Sequence, residues 1–284
     1  MKASKNMLLT FDYELFLGEK SGSVKKCLIE PTNKILDILY KKSIKGVFFV
    51  DTTYLLKLEE QKEYNDIIMR DYKLVVHQLN ELSSNGHYIY PHLHPHWINS
   101  IYNERINQWN LSNTDYYNFS NLSRVEREKI FNDSIDLLYR IIDCDRDYKI
   151  EGYRAGGWCI QPIDNFLPLF KKHGIIADFS VLPGAKENTN CWNFDFSRVN
   201  HNSQPYYFCE DESKMSSNGE FIEFPISSIK IKRQMYIDRL LNAFLWGVKF
   251  GKSFGDGEGV RVKNFRKKKA EKYINQMCSI ENLT

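Results

Sequence analysis

The sequence has no CxxC pair, no marked excess of charge of either sign, no long apolar run and no histidine after His201. Each absence excludes something. Nothing approaches the roughly 20 consecutive apolar residues of a membrane span, so no stable membrane insertion is expected. Lys and Arg number 39 against 36 Asp and Glu, a net charge of +3, so no global field argues for nucleic acid or an anionic membrane. The one basic run, RVKNFRKKKAEK from Arg261, has no aromatic ladder beside it and reads as a solvated helix face. The six cysteines are scattered, which suits reduced thiols better than a disulfide framework or a zinc knuckle. The opening MKASKNMLLTFDYE has too short an apolar stretch for a signal peptide, which makes the cytoplasm the expected location.

With 284 residues, 42% hydrophobic and 14% aromatic, the chain can bury a large core. Strand-like and helix-like segments alternate. MLLTF reads as a short buried strand, IEPTNKILDILYKKS as a helix with Pro31 near its first turn, and GVFFV as a second strand. DYKLVVHQLNELSSNG carries Leu74, Val75, Leu79 and Leu82 at helical spacing and stops at Gly86, and YIYPH follows as a third strand. INSIYNERINQWNLSNTDYYNFSNLS is rich in Asn, Ser and aromatics and reads as a long surface loop or lid. Ser123 and Glu126 form a capping-box pattern before a helix. KIEGYRAGGW and IIADFSV read as strands with the helix PIDNFLPLFKKHG between them, and EFIEFPIS reads as the last strand, before a helical C-terminal region. The fold class expected is α/β with parallel pairing, in a single domain over residues 1–284.

Functional groups of parallel α/β folds gather at the carboxyl ends of strands. Three such ends are polar here. The first carries Asp12 and Glu14, which share a side if the strand continues through them. The third carries HYIYPHLHPHW, with four of the seven histidines. A later one ends in Arg154 before AGGW. His92 and His96 are four apart, so a helical turn starting near Pro95 would let both meet one metal ion. For His94 a secondary or substrate contact and an ordinary structural role are equally open, while His87 reads as a strand-entrance residue. His77 and His173 fall on helices and read as helix-surface residues. Two histidines and a carboxylate leave coordination sites open for water and substrate, as a hydrolytic metal needs. A second carboxylate can take the water's proton, and an arginine can orient it.

These segments resemble the motifs of the NodB-homology polysaccharide deacetylases, carbohydrate esterases that remove acetyl groups from glycans. LLTFDYE is similar to their first motif, NGHYIYPHLHPH to the second and GYRAGGW to the third. The ordered set, including HLHPHW, most resembles the WbmS-like branch found among bacterial surface-polysaccharide genes, over residues 7 to 226. The resemblance implies a deformed (β/α) barrel with loop insertions and one divalent metal ion, usually Zn2+ with other transition metals also occurring. By motif position Asp12 takes the place of the catalytic base and Arg154 that of the residue orienting it, while His92 and His96 take the places of the metal histidines. The family pattern has two adjacent acids; here Tyr13 stands in the second place, so Glu14 is assigned to the metal, with its role and that of Asp12 open to exchange. Asp178 sits where the family often has a further polar residue, and Trp158 is a candidate wall of the sugar pocket, though a tryptophan there also suits the core.

A second departure lies at the family's last motif, which supplies a histidine as general acid. No histidine follows His201, so the expectation is a chain that stops short of that motif, with His201 as a substitute or a loss of the usual catalysis as alternatives. The implied function is removal of an acetyl group from an N-acetylated sugar, nucleotide- or lipid-linked, during surface-polysaccharide synthesis. The rivals are a sugar N-deformylase or allantoinase-like C–N hydrolase on the same scaffold, and a non-catalytic metal- or glycan-binding homologue. FGDGEGV lacks the strand and helix of a phosphate loop and reads as a plain loop.

Overall fold

A computed structural model of the chain describes residues 7–142, 148–230, 255–258 and 273–274. The first half is built as strand and helix in turn. β1 (Thr10–Tyr13) leads through a turn of π-helix to α1 (Glu30–Lys41), which holds Pro31 in its first turn, where a missing N–H costs nothing. β2 (Val47–Asp51) passes directly into α2 (Thr52–Gln61), and α3 (Asp66–Ser84) returns to β3 (Tyr88–Leu93). The next stretch holds the hairpin β4 (Ile101–Asn103) and β5 (Gln108–Asn110). α4 (Arg124–Ile141) begins with the expected capping box: Ser123 Oγ accepts from Glu126 N, and the Glu126 carboxylate accepts from Ser123 N at 2.8 Å. Then come β6 (Gly152–Ala155), α5 (Leu167–His173), β7 (Ala177–Asp178), the hairpin β8 (Lys186–Asn188) and β9 (Asn193–Asp195), β10 (Tyr206–Phe208) and β11 (Phe221–Glu223).

Seven of these strands form one sheet in the order β1-β2-β3-β6-β7-β11-β10, parallel throughout except for the antiparallel β10–β11 pair. The sheet is the α/β core that the alternating pattern predicts. β2 is buried along its whole length, as an interior parallel strand covered on both faces must be. Helical spacing in α3 buries Val75, Leu79 and Leu82, each 0% exposed. Tyr153 of β6 packs against Phe131 of α4 and against Phe166 and Phe170 by α5, which marks one face of the sheet as helix-covered.

The stretch expected to be a surface loop or lid is instead fastened down. Trp109, Leu111, Tyr117, Phe119 and Leu122 are all buried. Its backbone is stitched to the segment after β1: Ser21 N donates to Trp109 O at 3.0 Å, Trp109 N to Ser21 Oγ at 3.0 Å and Leu111 N to Gly18 O at 3.1 Å. Its aromatic content, which looked like loop composition, is core. Of the later region, Asp256 in FGDGEGV accepts from Ser23 N at 2.8 Å, and Ile229–Lys230 pairs antiparallel with Tyr273–Ile274. The remainder of the expected helical C-terminal region, with the basic run from Arg261, lies outside the described residues.

One packing contact gives a direct test of the sheet register. A Cβ on Gly152 would stand 2.4 Å from Tyr90 Cδ2 and 3.1 Å from Phe179 Cε2, between the rings of β3 and of the chain leaving β7. Gly152→Ala should therefore lower stability by about 1–3 kcal/mol through overpacking, read as a shifted urea midpoint; an unchanged midpoint would overturn this packing.

Candidate metal centre

Strand pairing alone brings the polar ends together. Asp51, His92 and Arg154 occupy one row across β2, β3 and β6, and Asp12 pairs with Phe49 two residues earlier on β2. Paired residues of parallel strands share a face, so these side chains meet on the face opposite Tyr153. Tyr13 turns the other way, where its hydroxyl donates to Gln78 Oε1 at 2.8 Å, which leaves Glu14 on the same side as Asp12.

At the centre His94 Nε2 lies 2.9 Å from Glu14 Oε2, His92 Nε2 lies 3.3 Å from the same oxygen, and the two Nε2 atoms are 3.1 Å apart. Donors sharing one ion at bonds of about 2.0–2.1 Å stand roughly 3 Å from one another, so this set has the spacing of a coordination triangle. The hydrogen bonds around the two histidines suit it too. His92 Nδ1 donates to the Arg154 carbonyl at 2.8 Å, which aims Nε2 at Glu14. His94 is held by its backbone, whose N–H donates to Thr53 Oγ1 at 2.9 Å, and Thr53 in turn donates to Asp51 Oδ1 at 2.5 Å. Gly156 makes room for the His94 ring: a Cβ there would be 2.9 Å from His94 Nδ1 and 2.2 Å from Leu93 O. These residues fit a divalent ion.

The histidine pair differs from the one expected. The spacing of His92 and His96 suggests a helical turn, but β3 keeps the backbone extended through Leu93 and the 3-10 turn starts only at Pro95. Alternate residues of an extended segment share a side, so His92 and His94 face Glu14, while the turn carries His96 away. His96 is 0% exposed, its ring 5.6 Å from that of His94 and 4.9 Å from that of Tyr117, and neither ring nitrogen has a hydrogen-bond partner. Burial, with His94 nearby, pushes its pKa well below the usual histidine value, so it is neutral.

Arg154 and Asp12 form the second part of the site. Arg154 is 5% exposed; Nη1 meets Asp12 Oδ1 at 2.6 Å, Nη2 donates to Thr10 Oγ1 at 2.9 Å, Nε donates to Phe179 O at 3.1 Å, and the group lies 4.2 Å over the Phe49 ring. Of the two acids, then, Glu14 sits with the histidines and Asp12 with the arginine. Trp158, at φ 61°, is half-buried edge-on to Phe194 at 6.1 Å.

Asp178 is not brought to this site. It pairs with Tyr153 in register and shares its helix-side face. It accepts from Ser180 Oγ at 2.7 Å and shares a hydrogen bond with Glu223, whose pKa burial raises well above the carboxylate range. His201, between β9 and β10, lies by Gly184 and bonds Ser228 Oγ through Nδ1 at 2.8 Å, beside the chain leaving β7 and β11. His173 bonds Asn132 Oδ1 at 2.7 Å at the end of α5.

Two residues that sequence reasoning passed over complete the site's frame. Asp51, 1% exposed, caps α2 by accepting from Tyr54 N at 3.2 Å and takes the Trp97 indole N–H at 2.6 Å through Oδ2. The signal was available, since an aspartate between a strand and a Thr-Thr start is an N-cap pattern. Tyr117 roofs the centre, 5.3 Å from the His94 ring. No sequence pattern singles out Tyr117 from its neighbours.

Burial alone would lower the His92 pKa, but the hydrogen bond it donates to Glu14 and the charges of Asp12 and Glu14 raise it to about 9. Burial would raise Glu14, yet His94 and His92 beside it hold its carboxyl far below the usual range. These shifts favour a charged His92 beside an ionised Glu14, and an ion bound by the same atoms would take the place of that proton.

No family model matches the chain, and no curated protein does. Among solved structures it is similar to a protein from Mycobacterium smegmatis assigned as a polysaccharide deacetylase, at 16% identity and a TM-score of 0.38, over 69% of this chain. The chain spans 45% of that protein's length.

Two predictions follow from the geometry. The full chain should take up one equivalent of Zn2+; His92→Ala and His94→Ala should abolish uptake and His96→Leu should retain it, measured by metal analysis after dialysis. Loss in His96→Leu with retention in His94→Ala would overturn the assignment. The raised His92 pKa contributes stability to the metal-free protein that is full below its ordinary value of 6.5 and lost as pH rises towards about 9. Over that window zinc affinity should rise about tenfold per pH unit as the competing proton leaves, a slope that competition titrations would read and that a flat profile would refute.

Proposed function

We propose that this chain is a metal-dependent amide hydrolase of the polysaccharide deacetylase kind, with its sheet as the wall of a deformed (β/α) barrel. Its substrate on this reading is an N-acetylated sugar of surface-polysaccharide synthesis, handled in the cytoplasm. The observation that carries the reading is the convergence of Glu14, His92 and His94 at one point, with the Arg154–Asp12 pair on the same face of the sheet. A zinc ion bound there would supply a Lewis acid for the acetyl carbonyl and acidify a water molecule.

The chain's own residues supply the base and hold it and the histidine in place. Asp12, its side chain 36% exposed, accepts the proton of the attacking water through the oxygen that Arg154 leaves open. Arg154 cannot swing, because Thr10, Phe179 O and the Phe49 ring hold the guanidinium on three further sides. Asp12 is thereby fixed in one orientation, which is what a general base requires. His92 is kept in a single tautomer by the Arg154 carbonyl.

The test is product analysis. Zinc-loaded full chain should release acetate from N-acetylated oligosaccharides, and Asp12→Asn should lower kcat by about 10²–10⁴ while zinc uptake is unchanged. Formate from N-formyl sugars with no acetate would make it a deformylase. Neither product, with zinc bound, would refute hydrolysis.

A further inference from the structure

A second feature, next to the Tyr117 ring that covers His94, has its own chemistry. A cavity of about 530 Å3 opens between the segment before α4 and the β8–β9 hairpin, within the roughly 300–1,000 Å3 range of small-molecule sites. Five asparagines line it, Asn118, Asn121, Asn188, Asn190 and Asn193, together with two threonines and a single carboxylate, Asp115. Asn121 ties the two walls together: its Nδ2 donates to Asp115 O at 2.9 Å and to Asn190 O at 3.3 Å. Asn118 is 3% exposed, and its Oδ1 is committed to Ser120 N at 2.9 Å.

We infer that this cavity is a binding subsite for a neutral, polyhydroxylated sugar unit. Amide side chains both donate and accept, as hydroxyl groups do, so a wall of amides satisfies a sugar without discharging any ion. The lining contains no Lys or Arg to hold an anion and no aliphatic side chain to hold a lipid. Position links it to the metal centre. Tyr117, between the lining residues Asp115 and Asn118, lies against the His94 and His96 rings. Trp192, between Asn190 and Asn193, meets Tyr117 at 5.2 Å, and a Cβ on Gly157 would strike both rings at 2.7 and 2.8 Å. The Tyr117 and Trp192 rings thus lie between the cavity's lining segments and the candidate ligand His94. That the glycan is a substrate rests on the hydrolase reading; the chemistry of the cavity does not.

The experiment is calorimetric titration of the full chain, metal-free and zinc-loaded, with fully N-acetylated chitotetraose, which is neutral, and with a tetragalacturonate as an anionic control. Chitotetraose should bind in both metal states and the anionic tetramer more weakly. Asn188→Ala with Asn193→Ala, both exposed positions, should weaken chitotetraose binding about tenfold, the loss of one or two hydrogen bonds, with the thermal midpoint and zinc stoichiometry unchanged. Equal binding by that variant, tighter binding of the anionic tetramer, or no binding by the unaltered chain would overturn the subsite. A chain that binds chitotetraose but takes up no zinc would instead refute the hydrolase reading and leave the subsite standing.

Discussion

The structure of the site depends on one buried guanidinium. Arg154 stands at the end of β6, yet it reaches Thr10 and Asp12 on β1, lies over Phe49 of β2, binds Phe179 O beyond β7 and, through its own carbonyl, fixes His92 on β3. Five parallel strands are thereby referred to one residue. A buried arginine is tolerated only when nearly all its donors are matched, and matching them here requires the strand ends to be level. The sheet register that aligns Asp51, His92 and Arg154 in a row meets that requirement, and the same row sets His92, one of the three candidate metal donors, against the Arg154 carbonyl.

The arrangement concentrates cost in a small volume. Glu14, His92 and His94 share charge among themselves, but His96 is sealed in with two unpartnered nitrogens, each a penalty of about 1–3 kcal/mol. Folding tolerates this because the aromatic surroundings are dense: Trp97 packs on Tyr54 at 4.6 Å and on Trp109 at 5.9 Å, with its indole N–H on Asp51. Apolar burial on that scale offsets a local polar deficit, which is a common circumstance at functional sites.

Much of the fold is legible in the sequence, for reasons specific to each element. VFFV can only be an interior strand, and the leucine stripe of α3 and the Ser123–Glu126 box leave little choice. The first strand is legible as an element but not in its bounds, since pairing with β2 carries it through Tyr13. α2 is hidden because its start, Thr-Thr-Tyr, is β-branched and aromatic, and it is the Asp51 cap and packing against α3 and α4 that make it helical. Among candidate site residues, Asp12, Glu14, His92 and Arg154 are indicated by their places at strand ends. The choice between His94 and His96 is not, because it turns on where extended backbone gives way to a 3-10 turn, one residue past His94. Asp178 misleads for the opposite reason: strand alternation puts it on the helix-covered face, whereas the backbone oxygen of its neighbour Phe179 serves the site.

The stitching of residues 109–111 to residues 18–21 also bears on how a substrate arrives. The segment that roofs the histidines and the segment that carries Glu14 are joined by backbone bonds, so moving one would drag a candidate metal ligand with it. The covering over this centre is architecture and not a door. A substrate of the proposed kind would therefore meet a site whose cover is held in place by the same bonds that anchor the chain just after Glu14.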